Sequence, residues 1–318
     1  MTKVKWGIIG LGNIATKFAE AIQHIDEGVL YAVAARDKEK SEAFGKKFGV
    51  KANKCYGSYD DLLKNPEVQA IYIAVPHAFH KEITLMAFDY NKAVLCEKPA
   101  TIDSKELQEI LDVANQKKLF FMEAMKTRFL PAIRQIKEII ANDLIGTVKY
   151  VQGNQGFFVP YNLDNRLFNK SLGGGSLLDV GVYPLSLIQF LFDEDLTDIC
   201  KVISFNEDHI DTSVSLIAKS SSGIHLNIFT SIQTNTPRDM IIGGTKGYIH
   251  IPKFSSAQSF TINVNNTEEN FSYPHIANGL EYQIIEASKC ISANQMQSSI
   301  MSWDDSLTVS KWIDSVFE

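Results

Sequence analysis

An apolar run over residues 4–9 leads straight into Gly10-Leu11-Gly12-Asn13-Ile14-Ala15, and a helical pattern opens inside that turn. Strand, G-x-G-x-x-G/A turn and helix in succession constrain the fold more than any other stretch of the chain. The first glycine allows a tight turn, the second lets a pyrophosphate approach the backbone, and the small third residue packs helix on strand. The helix N-terminus then offers unpaired N–H groups and a positive dipole end to the phosphates. A lone match of this kind can be a merely structural turn. Here it lies at the start of a βαβ pattern with a second strand at the right distance, so residues 10–15 are read as a dinucleotide site.

The next hundred residues keep the same grammar. Strands are predicted over 29–35, 68–75, 93–96 and 119–125, with helices over 13–23, 37–48, 80–90 and 104–118. Alternation of this kind makes a parallel sheet. Asp37 is placed to N-cap the second helix. Ser58 and Asp61 form a capping signal for a short one. Beyond Met125 the pattern changes to a helix over 130–142, a strand over 147–157, and Gly173-Gly174-Gly175 before a helical run over 176–192. Alternating strands then fill 197–273, which implies a mostly antiparallel sheet with one face solvated or used for pairing. Helices over 279–294 and 303–317 close the chain. The fold class is α/β: an N-terminal Rossmann, doubly wound parallel sheet over 1–122, plus a C-terminal α+β domain over 123–318. The final helix is expected to pack back on the first domain.

Bulk properties exclude several roles. The chain has 318 residues, 31 basic against 37 acidic, and a net charge of −6. Such a balance disfavours nucleic acid or an anionic membrane as a partner. No apolar run is read as a membrane span, and the glycine-broken N-terminal stretch is not a signal peptide. Cys55, Cys96, Cys200 and Cys290 form no C-x-x-C pair, so no metal site is expected and reduced thiols in a cytoplasmic protein are.

The tip of the second strand selects the cofactor. It reads Ala34-Ala35-Arg36-Asp37. An acidic residue there would hold the ribose 2′-OH of NAD, whereas an arginine accommodates the 2′-phosphate of NADP. Asp37 already has a capping role, so Arg36 favours NADP. The alternative is a solvated Arg36 with Asp37 on the ribose of NAD.

Ligands bind outside the carboxyl ends of strands in such sheets. Ala74 and His77 follow the strand over 68–75, Glu97 and Lys98 follow 93–96, and Arg128 follows 119–125. Pro99 pushes Lys98 away from helical geometry. In the second domain Asp179 and Tyr183 stand i, i+4 on one helix face, and Gly181 between them permits a close approach. Residues 157–166 and 235–238 are expected to shape a pocket, with Phe157 lining it. A tyrosine can move an alcohol proton if its pKa falls from about 10, and a nearby lysine favours the phenolate. Each residue also has a plain structural use: His77 as a loop polar group, Asp179 as a cap, Tyr183 as a core residue reaching water. His80 is read as a helix start.

Taken together, Gly10–Ala15, Glu97-Lys98-Pro99 and Asp179-x-Gly181-x-Tyr183 resemble the glucose-fructose oxidoreductase/inositol dehydrogenase (Gfo/Idh/MocA) family over the whole chain. The resemblance implies a large open second sheet used for homodimerisation. It makes Lys98 a catalytic or nicotinamide-positioning residue. Many members have histidine where this chain has Tyr183. That tyrosine, with Ala34–Asp37, Met122-Glu123-Ala124, Thr127-Arg128-Phe129 and Gly173–Tyr183, is similar to the dimeric dihydrodiol dehydrogenase branch. The branch implies NADP-dependent hydride transfer with a vicinal diol, sugar or related carbonyl. Lys98, Tyr183 and Asp179 would be catalytic. Gly10, Leu11, Gly12, Asn13, Ile14, Ala15, Arg36, Ala74, His77, Glu97 and Lys98 would bind cofactor, and His77, Arg128 and Phe157 would touch substrate. An inositol-type sugar dehydrogenase is the alternative enzyme. A dinucleotide-sensing regulator is the alternative class, but it would not need Lys98 and an acid/base residue together.

Overall fold

Short β-branched and aliphatic runs with no polar alternation need cover on both faces, and the first unit supplies it. In this computed structural model, which describes residues 3–318, they form a parallel six-stranded sheet. Its elements are β1 (Val4–Ile9), α1 (Asn13–Ala21), β2 (Gly28–Ala34), α2 (Lys38–Phe48), β3 (Cys55–Tyr56), α3 (Tyr59–Leu63), β4 (Ala70–Ile73), α4 (His80–Asp89), β5 (Ala93–Glu97), α5 (Ser104–Lys117) and β6 (Phe121–Ala124). The spatial order β3-β2-β1-β4-β5-β6 reverses between β1 and β4, the switch point at which such sheets bind dinucleotides. All residues of β4, β5 and β6 are buried. Capping follows the sequence signals. Asp37 accepts from the Glu39 and Lys40 amides at the start of α2, and Ser58 accepts from Asp61 at 3.1 Å.

The second unit contains α6 (Pro131–Ala141), β7 (Val148–Gly156), α7 (Val182–Phe192), β8 (Leu196–Phe205), β9 (Asp211–Ser220), β10 (His225–Ser231), β11 (Met240–Gly244), β12 (Gly247–Ile251), β13 (Ser259–Val264) and β14 (Thr267–Ser272). The strands pair in the order β14-β13-β12-β11-β7-β10-β9-β8. Every pairing is antiparallel except β7 with β10. Burial alternates along β10, β12 and β13, as one covered face requires. The covered face meets α7 and the turn before it: Pro184 of α7 packs over Gly153 of β7, and Ser176 bonds Thr230 of β10 at 2.9 Å. The opposite face leaves Val202 72% and Ile217 57% exposed, with Tyr150 and Tyr248 also outward.

One sequence expectation changes. Residues 276–307, read as part of the second domain, count with the first unit, which runs through Met125 and adds Ile276–Leu307. The reason is local. Trp6 on β1 donates its indole N–H to Ser288 at 3.0 Å. Phe121 on β6 donates its amide to Met296 and accepts from the Trp303 indole, both at 3.0 Å. The open edge of the sheet is thus occupied, as edge strands require. From Thr308 onward the last helix, Trp303–Phe317, counts with the second unit. Lys170–Phe192 keeps its expected place in the second unit. It is long and apolar enough to cross a membrane by composition, yet 83% of its apolar window is buried in the protein. It is a buried core segment whose helical part covers the sheet. All four cysteines are free thiols.

Candidate active site

The glycine turn sits at the switch point. Gly10 has φ +89, and a Cβ there would lie 2.7 Å from the Ala74 carbonyl oxygen and 2.8 Å from Val75. Only glycine fits, because the end of β4 passes directly against the turn. At Gly12 a Cβ would meet nothing within 4 Å. Gly12 is also the N-cap of α1, with no side-chain cap and no acidic residue in the first turn. The helix amides therefore face an open cradle without a protein anion beside them, which fits a pyrophosphate. Ala15 is fully buried against the sheet, Leu11 is buried, and Asn13 faces outward. At the tip of β2 Arg36 is exposed while Asp37 is committed to α2. Burial raises the Tyr59 hydroxyl pKa and the Arg36 cation pulls it down, so Arg36 and Tyr59 stand close enough to interact.

The turn bearing Lys98 follows β5, with a cis Lys98–Pro99 peptide. Lys98 is half-buried between buried Glu97 and Pro99. Glu97, expected to face the cofactor, accepts the hydroxyl of Tyr72, and Tyr72 stacks on Phe18 of α1 at 4.0 Å. Glu123 of β6 accepts from the Ala100 amide at 2.9 Å. His77 is buried at the end of β4, with its ring 5.7 Å from that of His80. His80 opens α4 as expected, but it is fully buried and uses both ring nitrogens.

In the second unit the run over 176–192 is not one regular helix. Leu177–Gly181 winds as a π-helix before α7. Pro184 cannot donate to Val180, and a wide turn absorbs the missing bond. Such single π turns recur at functional sites. Gly181 admits the Leu177 side chain, 2.7 Å from where its Cβ would be, so its smallness serves packing. From Val182 to Leu191, Tyr183 is the residue left half-buried; all the others are buried. Asp179 is buried and accepts from Arg166 at 3.0 Å, whose side chain remains 44% exposed.

Asp211, which no sequence pattern marked, caps this segment. Its carboxylate accepts the Leu177 amide at 2.7 Å, and a Cβ on Gly175, φ +125, would strike it at 2.2 Å. Burial pushes its pKa up to about 6, although the Leu177 and Ser176 amides pull it down. The ionised form is thus penalised in the fold. The penalty is absent below the ordinary 3.8 and complete above about 6. At 1.36 kcal/mol per pH unit it reaches about 3 kcal/mol. We expect the stability of the native protein relative to Asp211→Asn to rise as pH falls from 7 to 4, measured by thermal unfolding. A flat difference would contradict this.

Arg128, expected to reach substrate, is fully buried. It donates to Ser186 at 2.8 Å and Gln189 at 2.7 Å, with Phe190 beside it. A buried guanidinium needs several acceptors, and α7 provides them, so Arg128 anchors α7. Phe157 is half-buried against the cluster of Leu167, Phe168, Val180 and Ile232. The candidates therefore form two groups: Gly10–Ala15, Arg36, Ala74, His77, Glu97 and Lys98 in the first unit, and Asp179, Tyr183, Arg166 and Phe157 in the second. Arg166 had only its place in a 157–166 loop to mark it. Among the described residues no group of three or more His, Cys, Asp or Glu is arranged to hold a metal.

Residues 4–125 match the model of an oxidoreductase family with an NAD-binding Rossmann fold, and residues 133–250 match the C-terminal domain model of the GFO/IDH/MocA group. A trans-1,2-dihydrobenzene-1,2-diol dehydrogenase of Xenopus laevis is 32% identical, covering 99% of this chain and 97% of the relative. The human enzyme of the same name is 30% identical, over 78% and 74%. Among solved structures, an aldose-aldose oxidoreductase from Caulobacter crescentus superposes with TM-score 0.91 at 22% identity, covering 99% and 97%. A 3-ketoreductase from Actinomadura kijaniata, in complex with NADP and TDP-benzene, gives 0.88 at 21% identity over the same shares.

Proposed function

We propose that this chain, which belongs to the Gfo/Idh/MocA oxidoreductase family, transfers hydride between NADP and a vicinal diol, sugar or related carbonyl, with Tyr183 as acid/base. It is an NAD(P)-dependent oxidoreductase. The substrate class rests on relatives named as trans-dihydrodiol dehydrogenases. One observation carries the role of Tyr183: it alone opens toward solvent in an otherwise buried stretch of α7, four residues from buried Asp179.

When bound, the nicotinamide supplies the hydride acceptor or donor. The chain supplies the rest. Gly10–Ala15 and the N-terminus of α1 take the pyrophosphate, and Arg36 takes the 2′-phosphate. In the oxidative direction the Tyr183 oxygen takes the proton of the substrate hydroxyl. To act near neutral pH the phenol must fall from about 10, which requires about 4 kcal/mol for three pH units. A cation beside the phenol favours the phenolate. Asp179, held by Arg166, orients the reacting hydroxyl.

The direct test is turnover with NADP(H) of trans-1,2-dihydrobenzene-1,2-diol, D-xylose and small dicarbonyls. Activity with aldoses alone would narrow the reading to its sugar branch, and no turnover would sink it. Arg36 has its own test. A charge-assisted contact of about 1.5–3 kcal/mol predicts that Arg36→Ala weakens NADPH binding roughly 10- to 150-fold and leaves NADH binding unchanged. Equal NADH and NADPH affinity in the unaltered protein would refute the preference.

We also propose a homodimer through the outward face of the eight-stranded sheet. Val202 and Ile217, on the adjacent strands β8 and β9, are too exposed and apolar to leave in water. Sedimentation should give twice the chain mass, and Val202→Asp with Ile217→Asp should give the monomer. A monomeric unaltered protein would end this proposal. Four free thiols and an acidic balance favour the cytoplasm as its compartment.

A further inference from the structure

His80 has no exposed surface. Its Nδ1 lies 2.8 Å from the Pro99 carbonyl oxygen, and its Nε2 lies 2.8 Å from the Val75 carbonyl oxygen. Pro99 is the residue directly after Lys98, and Val75 stands two residues before His77. One imidazole therefore spans the loops at the carboxyl ends of β4 and β5. Space alone does not explain this choice. An aliphatic side chain would fill the volume without desolvating a ring, whereas a buried polar group is retained where it satisfies others.

The rest of the turn is held in the same manner. Glu97, before Lys98, takes the Tyr72 hydroxyl, and the Ala100 amide, after it, goes to Glu123. Those contacts fix the two ends of the turn. The Pro99 carbonyl is its middle, and His80 is the side chain seated on it. Burial keeps the ring's pKa down at about 4, with the Lys98 charge acting in the same direction. At neutral pH the ring therefore carries one proton, so it donates to one of the two carbonyls it faces and lies against the other. Lys98 is near enough for its charge to be felt at the ring.

We infer that His80 is the positioning residue of the Lys98 turn: seated between the Pro99 and Val75 carbonyls and donating its N–H to one of them, it sets where the ammonium stands relative to the strand end carrying His77. This rests on Lys98 being a cofactor-positioning cation. A shift of about 1 Å in such a group is enough to matter for chemistry.

NADPH affinity, followed by fluorescence titration, reads the effect without a substrate. His80→Leu is expected to weaken NADPH about 10-fold, the scale of one lost polar contact. His80→Gln, whose amide keeps an N–H donor at similar reach, should return affinity to near the native value. Lys98→Met should weaken binding to a similar extent. The double variant should bind no worse than Lys98→Met, because the histidine acts through the lysine. Additive losses in the double variant would overturn the inference, as would native affinity in His80→Leu or no rescue by glutamine. If His80→Leu does not fold, His80→Asn, too short to span the two loops, replaces it with the same expectations. Native NADPH affinity and native diol turnover in Lys98→Met would remove the role of Lys98 itself. Loss in Lys98→Met with none at His80 would remove only the present inference.

Discussion

Tyr183→Phe should lower turnover roughly 10²–10⁴-fold, the usual worth of a positioned acid/base, while NADPH binding stays nearly native. The substitution removes one oxygen from α7. The aromatic ring stays, so the helix, the Arg128 anchor and the sheet beneath keep their packing. Pre-steady-state rates with trans-1,2-dihydrobenzene-1,2-diol and NADP separate the chemical step from binding. A variant with unchanged hydride transfer would end the assignment of Tyr183. A variant that lost NADPH affinity equally would show that the hydroxyl serves the cofactor instead. Phenylalanine cannot be partially rescued by pH, so a residual rate should lose the titration limb that Tyr183 contributes.

Gly10→Ala should be the most damaging single change in the first unit. A side chain at φ +89 costs about 1–2 kcal/mol, and the new methyl would stand 2.7 Å from the Ala74 carbonyl oxygen. The end of β4 must move away from β1. We expect a stability loss of at least about 2 kcal/mol and a fall in NADPH affinity of roughly 10²-fold. Gly12→Ala is the informative partner. Its Cβ meets nothing in the protein, and its φ of −99 suits any residue. It should melt like the native protein yet bind NADPH poorly, since only the ligand occupies that space. Native NADPH affinity in Gly12→Ala would place the pyrophosphate elsewhere.

The parallel sheet was readable because its signals are local. Apolar runs, the glycine turn and the Asp37 and Ser58 caps each lie within a few residues of the structure they produce. Lys98 and Tyr183 were readable as motif positions for the same reason. Arg128 misled because a cation at a strand end looks the same in sequence whether it faces a ligand or Gln189. Asp211 left no trace and Arg166 only its place at the end of the 157–166 loop, as their partners lie 34 and 13 residues away and share no period with them. The π turn was hidden too. Pro184 marks a missing hydrogen bond, but not whether the helix breaks, kinks or widens there.

Ile276–Leu307 bears on synthesis. Domains generally fold as units while the chain is made, but here β6 waits for a cover that the ribosome adds more than 150 residues later. Until Met296 and Trp303 emerge, Phe121 presents an open apolar edge, the kind of surface on which nascent chains aggregate. A fragment cut at the end of the β-α alternation would therefore be an unfinished product. Slow translation of the second unit would lengthen the time during which a chaperone must guard the first.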